Sequence, residues 1–347
     1  MVKARSLRIG IVGAGNNSRV KHIPGFQSLP GVEVSGIANR SLESGQRVAH
    51  EFDIPQVYSN WLELVHSTEI DAVCIGTWPY MHCPVTIAAL KAGKHVLTEA
   101  RMAMNATEAQ LMYQASLDHP NLVTQIVPFP GTFKFDLTIQ EVIASNYLGD
   151  IVAMDITSNQ NRFADFDSTI QWRQDRELSG YNILNMGMWY EGLMRWVGPA
   201  TRVSAMSRVT VQSRNDSKGD RRTVTIPDHV DILCEMGNGS QARLQFSAVT
   251  GLGGSNKIWI YGTEGTLHLD ASSTALYLGN RTSKALEEIP IDPGKVSTWR
   301  VEEEFINAIR GQEPVRYTTF KDGLAYMEFT EAVTKSARSG QTVHLPL

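Results

Sequence analysis

A short apolar run, Leu7–Val12, passes into Gly13-Ala14-Gly15-Asn16-Asn17-Ser18 and then into a helix-compatible stretch. No other segment narrows the possible folds so far. A strand that turns on glycine into the start of a helix is a variant of G-x-G-x-x-G, the first βα unit of a dinucleotide-binding sheet. Gly13 allows the tight turn and Gly15 lets the backbone approach a pyrophosphate. The first N–H groups of the helix, at Asn16 and Asn17, offer donors to the anion. Ser18 stands where the third glycine would be, a change that bears on helix–strand packing.

The rest of the first third repeats the alternation. Strand-like runs at 32–38, 72–75, 95–98 and 123–127 are separated by helical periodicity at 43–52, 84–92 and 106–115. That pattern specifies a parallel, doubly wound sheet. The end of its second strand meets the adenosine ribose, where an acidic residue favours NAD. Here the chain reads Ala38-Asn39-Arg40-Ser41. Asn39 has no charge to repel a 2′-phosphate, and Arg40 and Ser41 supply groups that bind one, so NADP is expected at least as readily as NAD. Arg40 is read equally as a solvated residue at a helix start or as a guanidinium stacked on adenine.

At 347 residues the chain is longer than one hydrophobic core usually supports, and two domains are expected. Its 42% hydrophobic and 20% charged residues are those of an ordinary globular protein. A net charge of −4 from interspersed residues leaves no basic stripe, which argues against nucleic acid as a partner. No stretch reads as a signal peptide or is long enough to span a bilayer, so a cytoplasmic protein without a membrane partner is expected. Cys74, Cys83 and Cys234 lack C-x-x-C spacing and the histidines are scattered, so neither a disulfide framework nor a metal site is expected.

Four segments, in order, resemble the glucose-fructose oxidoreductase, inositol dehydrogenase and MocA (Gfo/Idh/MocA) family. They are Gly13–Ser18, Thr77-Trp78-Pro79-Tyr80-Met81-His82, Ala92-Gly93-Lys94-His95-Val96-Leu97-Thr98-Glu99 and Tyr261-Gly262-Thr263-Glu264-Gly265-Thr266-Leu267. The resemblance implies a Rossmann domain over residues 1–125. It also implies a substrate-binding and oligomerisation α+β domain over 126–347, with a large, mostly antiparallel open sheet whose outer face joins copies into a homodimer or homotetramer. It sets Thr77, Trp78, His82, Glu99 and Arg101 beside the cofactor. The bare sequence agrees with alternating runs at 151–158, 201–212, 223–236, 240–250 and 256–262. Helical patterns at 184–196, 300–310 and 324–339 are expected to cover one face of that sheet.

The departures matter as much. The family's Glu-Lys-Pro lysine is absent, because the chain reads Glu99-Ala100-Arg101. The family's D-x-G-x-H pattern becomes Asn185-Met186-Gly187-Met188-Trp189, so its aspartate and histidine are missing too. Oxidising an alcohol requires removal of the hydroxyl proton, and a positioned base contributes ~10²–10⁴-fold. Glu191, Tyr190 and His82 are the substitute proton carriers available near these positions. Each has a plain structural reading: an ion-paired Glu191, a core Tyr190, a His82 that only holds the ribose region. Binding groups are more plentiful. Arg101, Asn161, Arg162, Trp172, Arg173, Tyr181, Asn182, Asn185 and Trp189 are candidate substrate contacts. Two converging arginines would suit an anionic small molecule, and an indole would suit a sugar ring. The opposing reading pairs Arg173 with Asp175, exposes Arg162 and buries the tryptophans.

Three functions remain open on these residues. The first is hydride transfer with a sugar, sugar acid, cyclitol or related diol, using non-standard acid–base groups. The second is redox-neutral glycoside cleavage, in which a transient oxidation is followed by elimination and return of the hydride. The third is a catalytically weak cofactor-binding sensor or subunit.

Overall fold

A computed structural model describes residues 6–254, 256–271 and 274–347. They divide into two compact units, one running to Pro128 and taking in Arg300–Leu324, the other formed by Phe129–Trp299 and Ala325–Leu347.

In the first unit β1 (Leu7–Val12), β2 (Val32–Ala38), β3 (Gln56–Val57), β4 (Ala72–Ile75), β5 (His95–Thr98) and β6 (Thr124–Ile126) form one parallel sheet, ordered β3-β2-β1-β4-β5-β6. The order reverses between β1 and β4, and such a switch point is where open α/β sheets bind ligands, beyond the C-terminal strand ends. β4 is buried at all four positions, which is why its sequence is apolar throughout instead of alternating. Helices α1 (Ile23–Gln27), α2 (Leu42–Glu51), α3 (Trp61–His66), α4 (His82–Lys91) and α5 (Ala106–Asp118) connect the strands. Three of them start where an oxygen side chain caps the first turn: Ser41, Asn60 and Asn105 accept the backbone N–H groups of Ser44, Glu63 and Glu108.

The second unit opens with α6 (Asp136–Ala144). It is built on a nine-stranded sheet that includes β7 (Ile151–Asn159), β8 (Ala200–Arg208), β11 (His229–Met236), β12 (Gln241–Ser247), β13 (Lys257–Gly262), β14 (Gly265–Asp270), β15 (Ala275–Asn280) and β16 (Glu287–Ile289). A separate hairpin pairs β9 (Ser213–Asn215) with β10 (Arg221–Thr223). Every pairing within the large sheet is antiparallel except β7 with β12. β11 buries Val230, Ile232 and Cys234 in strict alternation, the period of a sheet with one covered face. The run expected over 201–212 stops at Arg208, because the Asp228 carboxylate takes the N–H groups of Thr210 and Val211 at 2.9 and 3.0 Å and so diverts them from a ladder. Helices α7 (Arg176–Ser179) and α8 (Met186–Val197) lie between β7 and β8 in the chain.

The helix expected at 300–310 is α9 (Val301–Ile309), which is grouped with the first unit and packs there on α1. Its buried face carries two carboxylates that need distant partners. Glu304 accepts Gln125 Nε2 at 2.8 Å and the Arg316 N–H at 2.9 Å, and Glu302 reaches His22. α10 (Phe320–Ser339) and β17 (Val343–His344) close the chain, β17 pairing with β8 at the edge of the large sheet. No helix among the described residues is long and apolar enough to cross a membrane.

Candidate functional site

The glycine turn is held from three sides within the first unit. Gly13 sits at φ +84°, a conformation that costs glycine nothing, and its N–H bonds to the Ala38 carbonyl at 2.9 Å. A Cβ on Gly13 would lie 2.5 Å from Thr77 Cγ2 and 3.0 Å from the Thr77 backbone nitrogen, so the loop after β4 is packed directly on the turn. Ser18, in place of the third glycine, is buried and donates its hydroxyl to the Gly13 carbonyl at 3.1 Å. The backbone turns helical at Asn16, and first-turn N–H groups have no intrahelical acceptor. Gly15 and Asn16 are exposed. This is a seat that fits a pyrophosphate.

Asn39 works toward that turn. Its Oδ1 accepts the Ala14 N–H at 2.8 Å while its Nδ2 donates to Ser44 Oγ at 3.0 Å, so the carboxamide orients both the glycine turn and the start of α2. Ser41 Oγ is the α2 cap, accepting from Ser44 N. The exposed Arg40 guanidinium lies 5.8 Å from the centre of the Trp78 ring.

His82 is fully buried. Its Nδ1 faces the Arg101 carbonyl at 2.9 Å and its Nε2 the Thr77 carbonyl at 3.0 Å. Burial lowers its pKa against the pull of these carbonyls, and the ring serves as a clamp between the two loops. Both ring nitrogens of this candidate proton carrier are aimed at backbone oxygens. Glu99 directly follows β5 and is bonded by Asn17 Nδ2, by His22 at 2.9 Å and by the Ala100 N–H at 3.2 Å. The next residues, Ala100 and Arg101, are joined by a cis peptide, and Arg101 is buried. His22 and Glu302 were not expected from the sequence; nothing in a lone histidine five residues past Asn17 points to a carboxylate 280 positions away.

In the second unit the other two candidate proton carriers have well-defined surroundings. Tyr190 has no exposure, stacks on Phe329 with ring centres 3.6 Å apart, and its oxygen accepts the Ala200 N–H at 2.7 Å. Burial pushes its hydroxyl pKa further up, as expected of a tyrosine in the core. Glu191 is buried and ion-paired to Arg195 at 2.6 Å, and it also accepts the Phe129 N–H at 3.3 Å. Arg195 in addition reaches Asp136 at 3.2 Å, so the arginine holds two buried carboxylates.

The binding candidates each have contacts of their own. Asn185 Nδ2 bonds Ser158 Oγ at 2.9 Å at the N-terminal end of α8. Trp189 is buried edge-to-face on Phe129 at 5.0 Å, and its indole N–H has no acceptor among the described residues. Arg173 stacks over Trp172 at 4.1 Å, while Asp175 caps α7 and lies 3.8 Å from Arg222. Tyr181 is flanked by Arg176 and Arg338 at 5.2 and 5.6 Å from its ring centre. Asn182 is buried and closes its own turn on the Ser179 carbonyl at 2.7 Å. Asn161 and Arg162 are exposed. Among the described residues no group of three or more His, Cys, Asp or Glu is placed to hold a metal.

A parallel sheet with a glycine turn at its switch point, followed in the chain by a mostly antiparallel sheet, is the arrangement of a dinucleotide-binding protein with a second domain. Residues 7–125 match the model of the oxidoreductase family with NAD-binding Rossmann fold, and residues 137–268 match the GFO/IDH/MocA C-terminal domain. The chain belongs to the Gfo/Idh/MocA family and is an oxidoreductase with an NAD-binding Rossmann fold. Levoglucosan dehydrogenase of Pseudarthrobacter phenanthrenivorans is 23% identical over 293 residues, 76% of this chain and 73% of its own. Trans-1,2-dihydrobenzene-1,2-diol dehydrogenase of Sus scrofa is 26% identical over 262 residues, covering 75% and 73%. The solved structure of levoglucosan dehydrogenase in complex with NADH and levoglucosan superposes with a TM-score of 0.86 at 22% identity, over 99% of this chain and 100% of that one, a likeness of fold.

Proposed function

We propose that the protein transfers a hydride between a nicotinamide cofactor and a hydroxylated ring: a sugar, sugar acid, cyclitol or related diol. The observation that carries this reading is the Gly13 turn, positioned by Asn39 and backed by Thr77 at the switch point of the first sheet. Relatives named for a sugar derivative and for a cyclic diol support the substrate class. Bound there, the cofactor supplies the hydride acceptor. Gly13, Gly15, Asn16 and Asn17 would hold its pyrophosphate and Thr77, Trp78, Glu99 and Arg101 would flank it, while Asn185, Trp189, Trp172 and Arg173 would meet the substrate. The unpaired indole N–H of Trp189 is a donor suited to a sugar hydroxyl.

The test is a 340 nm assay with NAD(H) and NADP(H) over sugars, sugar acids, cyclitols and diols, with products followed by mass spectrometry. Substrate-dependent absorbance change is the expected result. Cleaved glycoside at constant absorbance would replace this reading with redox-neutral elimination. One observation favours the reading of a weakly catalytic cofactor-binding protein: His82, Tyr190 and Glu191 are each occupied by other partners. Tight cofactor binding without turnover on any substrate would establish that alternative.

For the cofactor we propose that the 2′-phosphate of NADP is accepted, on the strength of the uncharged Asn39 and the exposed Arg40 beside Ser41. Arg40→Ala is expected to weaken NADPH by about tenfold, the scale of one charge-assisted hydrogen bond, while NADH changes much less. Fluorescence titration of both nucleotides measures this, and equal losses would count against a phosphate contact.

We further propose that two copies associate through the open face of the second sheet. Met206 and Leu233 are 79% and 61% exposed there on neighbouring strands, and large apolar side chains in such a place call for a cover. Light scattering is expected to give twice or four times 38.4 kDa, and Leu233→Arg to lower it. A wild-type mass of 38.4 kDa would contradict the proposal.

A further inference from the structure

The first unit contains a buried histidine between two carboxylates that no step above uses. His22 has no exposure, its Nδ1 lies 2.5 Å from Glu302 Oε1, and its Nε2 lies 2.9 Å from Glu99 Oε1. A neutral imidazole donates from only one nitrogen, whereas the imidazolium donates to both carboxylates. The three residues come from distant stretches of chain: the helical segment that leads into α1, the residue after β5, and α9. Gly25 makes room for the arrangement, since a Cβ there would fall 2.9 Å from Glu302 Cδ.

Glu99 passes the arrangement on. The oxygen that takes His22 also takes Asn17 Nδ2, and the other takes the Ala100 N–H. Asn17 belongs to the glycine turn, and Ala100 opens the segment clamped by His82.

We propose that His22 is a positioning residue for the cofactor seat: as an imidazolium it bridges Glu302 to Glu99, and through Glu99 it fixes the Asn17 side chain and the backbone after β5. The inference rests on the cofactor reading above and names the group that holds that site in register. Burial opposes the charged ring, but the hydrogen bonds to Glu302 and Glu99 outweigh it and raise its pKa to about 9. Glu99, whose burial also works against its charge, is held below the usual carboxylate value by His22 and Asn17. Among the described residues, titratable groups that act on the cluster include His82 of α4, whose pKa burial lowers, and Cys74 of β4, whose thiol is pushed up by burial and then by the two carboxylates. Neither replaces the His22 charge.

The experiment has two parts. Ring nitrogen NMR of the wild-type protein at pH 7.5, without nucleotide, is expected to show one histidine with both nitrogens protonated and in slow exchange, a signal missing in His22→Gln. A neutral tautomer for His22 would overturn the proposal. Fluorescence titration of NADH and NADPH from pH 6.5 to 9.5 is expected to give a wild-type affinity that falls as the ring loses its proton. His22→Gln should be weaker by about tenfold or more at pH 7.5 and flat across the range. Wild-type-like affinity in His22→Gln would overturn the positioning role. Should that variant fail to fold, Gly25→Ala, which crowds Glu302 and keeps the histidine, is expected to weaken nucleotide binding at pH 7.5, and unchanged binding would count against the bridge. Wild-type protein that binds neither nucleotide would sink the cofactor reading and the positioning role with it, even with the imidazolium seen by NMR.

Discussion

Arg195→Met is expected to destabilise the protein by about 3–5 kcal/mol, the cost of leaving a buried carboxylate without its cation. Arg195 reaches Glu191 at 2.6 Å and Asp136 at 3.2 Å, and those two side chains are only 3% and 1% exposed. Methionine keeps the stem and loses the charge, so the effect is electrostatic and not a packing defect. The pH dependence gives the sign. Burial already holds the Asp136 carboxyl above its ordinary value, against the opposing pull of Arg195, Trp196 and Thr132. A carboxyl raised in the folded state contributes stability that is full below its unfolded pKa of ~4 and is lost as pH rises through the folded value. Without Arg195 that rise grows, so the gap between wild type and variant should be widest near neutrality and should narrow toward pH 5. Thermal melts at pH 7.5 and 5.0 measure it, with a difference on the order of 10 °C expected at the higher pH. Asp136→Asn in the Arg195→Met background should recover part of the loss. Equal losses at both pH values, with no recovery, would mean that the ion pairs carry little of the stability.

The same cluster shows where the sequence stopped being informative. Glu191 and Tyr190 follow Trp189, where the family keeps its histidine, and proximity in sequence made them candidates. On α8 both point into the core, because a helix places consecutive residues about 100° apart and the wide buried face of this one takes in Trp189, Tyr190 and Glu191 together. Local periodicity identified the helix and could not identify the partners, which are Phe329 from α10 and Arg195 one turn on. The strands of the first unit were legible because both faces are covered: β2, β4 and β5 have the bounds their apolar runs imply. β3, only two residues long, carried no such signal. α9 was legible as a helix but not as part of the first unit. Its amphipathic pattern states that one face is buried, and only the partners of Glu302 and Glu304, in residues 22 and 125, state where. The glycine turn was read from its residues. Its support by the Asn39 carboxamide was not, since a hydrogen bond to Ala14 N across 25 positions leaves no pattern in the sequence.

Gly76→Ala is expected to lower nucleotide affinity by about 10–100-fold, although residue 76 lies outside the glycine fingerprint. A Cβ at Gly76 would fall 1.9 Å from Ser18 Oγ and 2.4 Å from the Gly13 carbonyl oxygen. The hydroxyl can rotate away, but the carbonyl is backbone of the turn itself, and its movement carries Gly13 and Ala14 with it. Gly76 cannot retreat easily, because its own N–H is bonded to the Val12 carbonyl at 2.9 Å, in register with the end of β1. Forcing extra volume into such a contact costs about 1–3 kcal/mol. If the strain is relieved by displacing the turn, the cost appears in binding, where each 1.4 kcal/mol is tenfold. If it is relieved by local loosening of β1 and β4, the cost appears in the melting temperature instead. Calorimetric titration of NADH and NADPH alongside a thermal melt separates the two. The first outcome is expected, because β1 and β4 are paired at four consecutive positions in the middle of the sheet, whereas the turn is bordered on one side by the exposed residues Gly15 and Asn16. A variant that binds both nucleotides like wild type would show that the turn adapts to a methyl group, and the pyrophosphate seat would then have to be sought elsewhere on the first sheet.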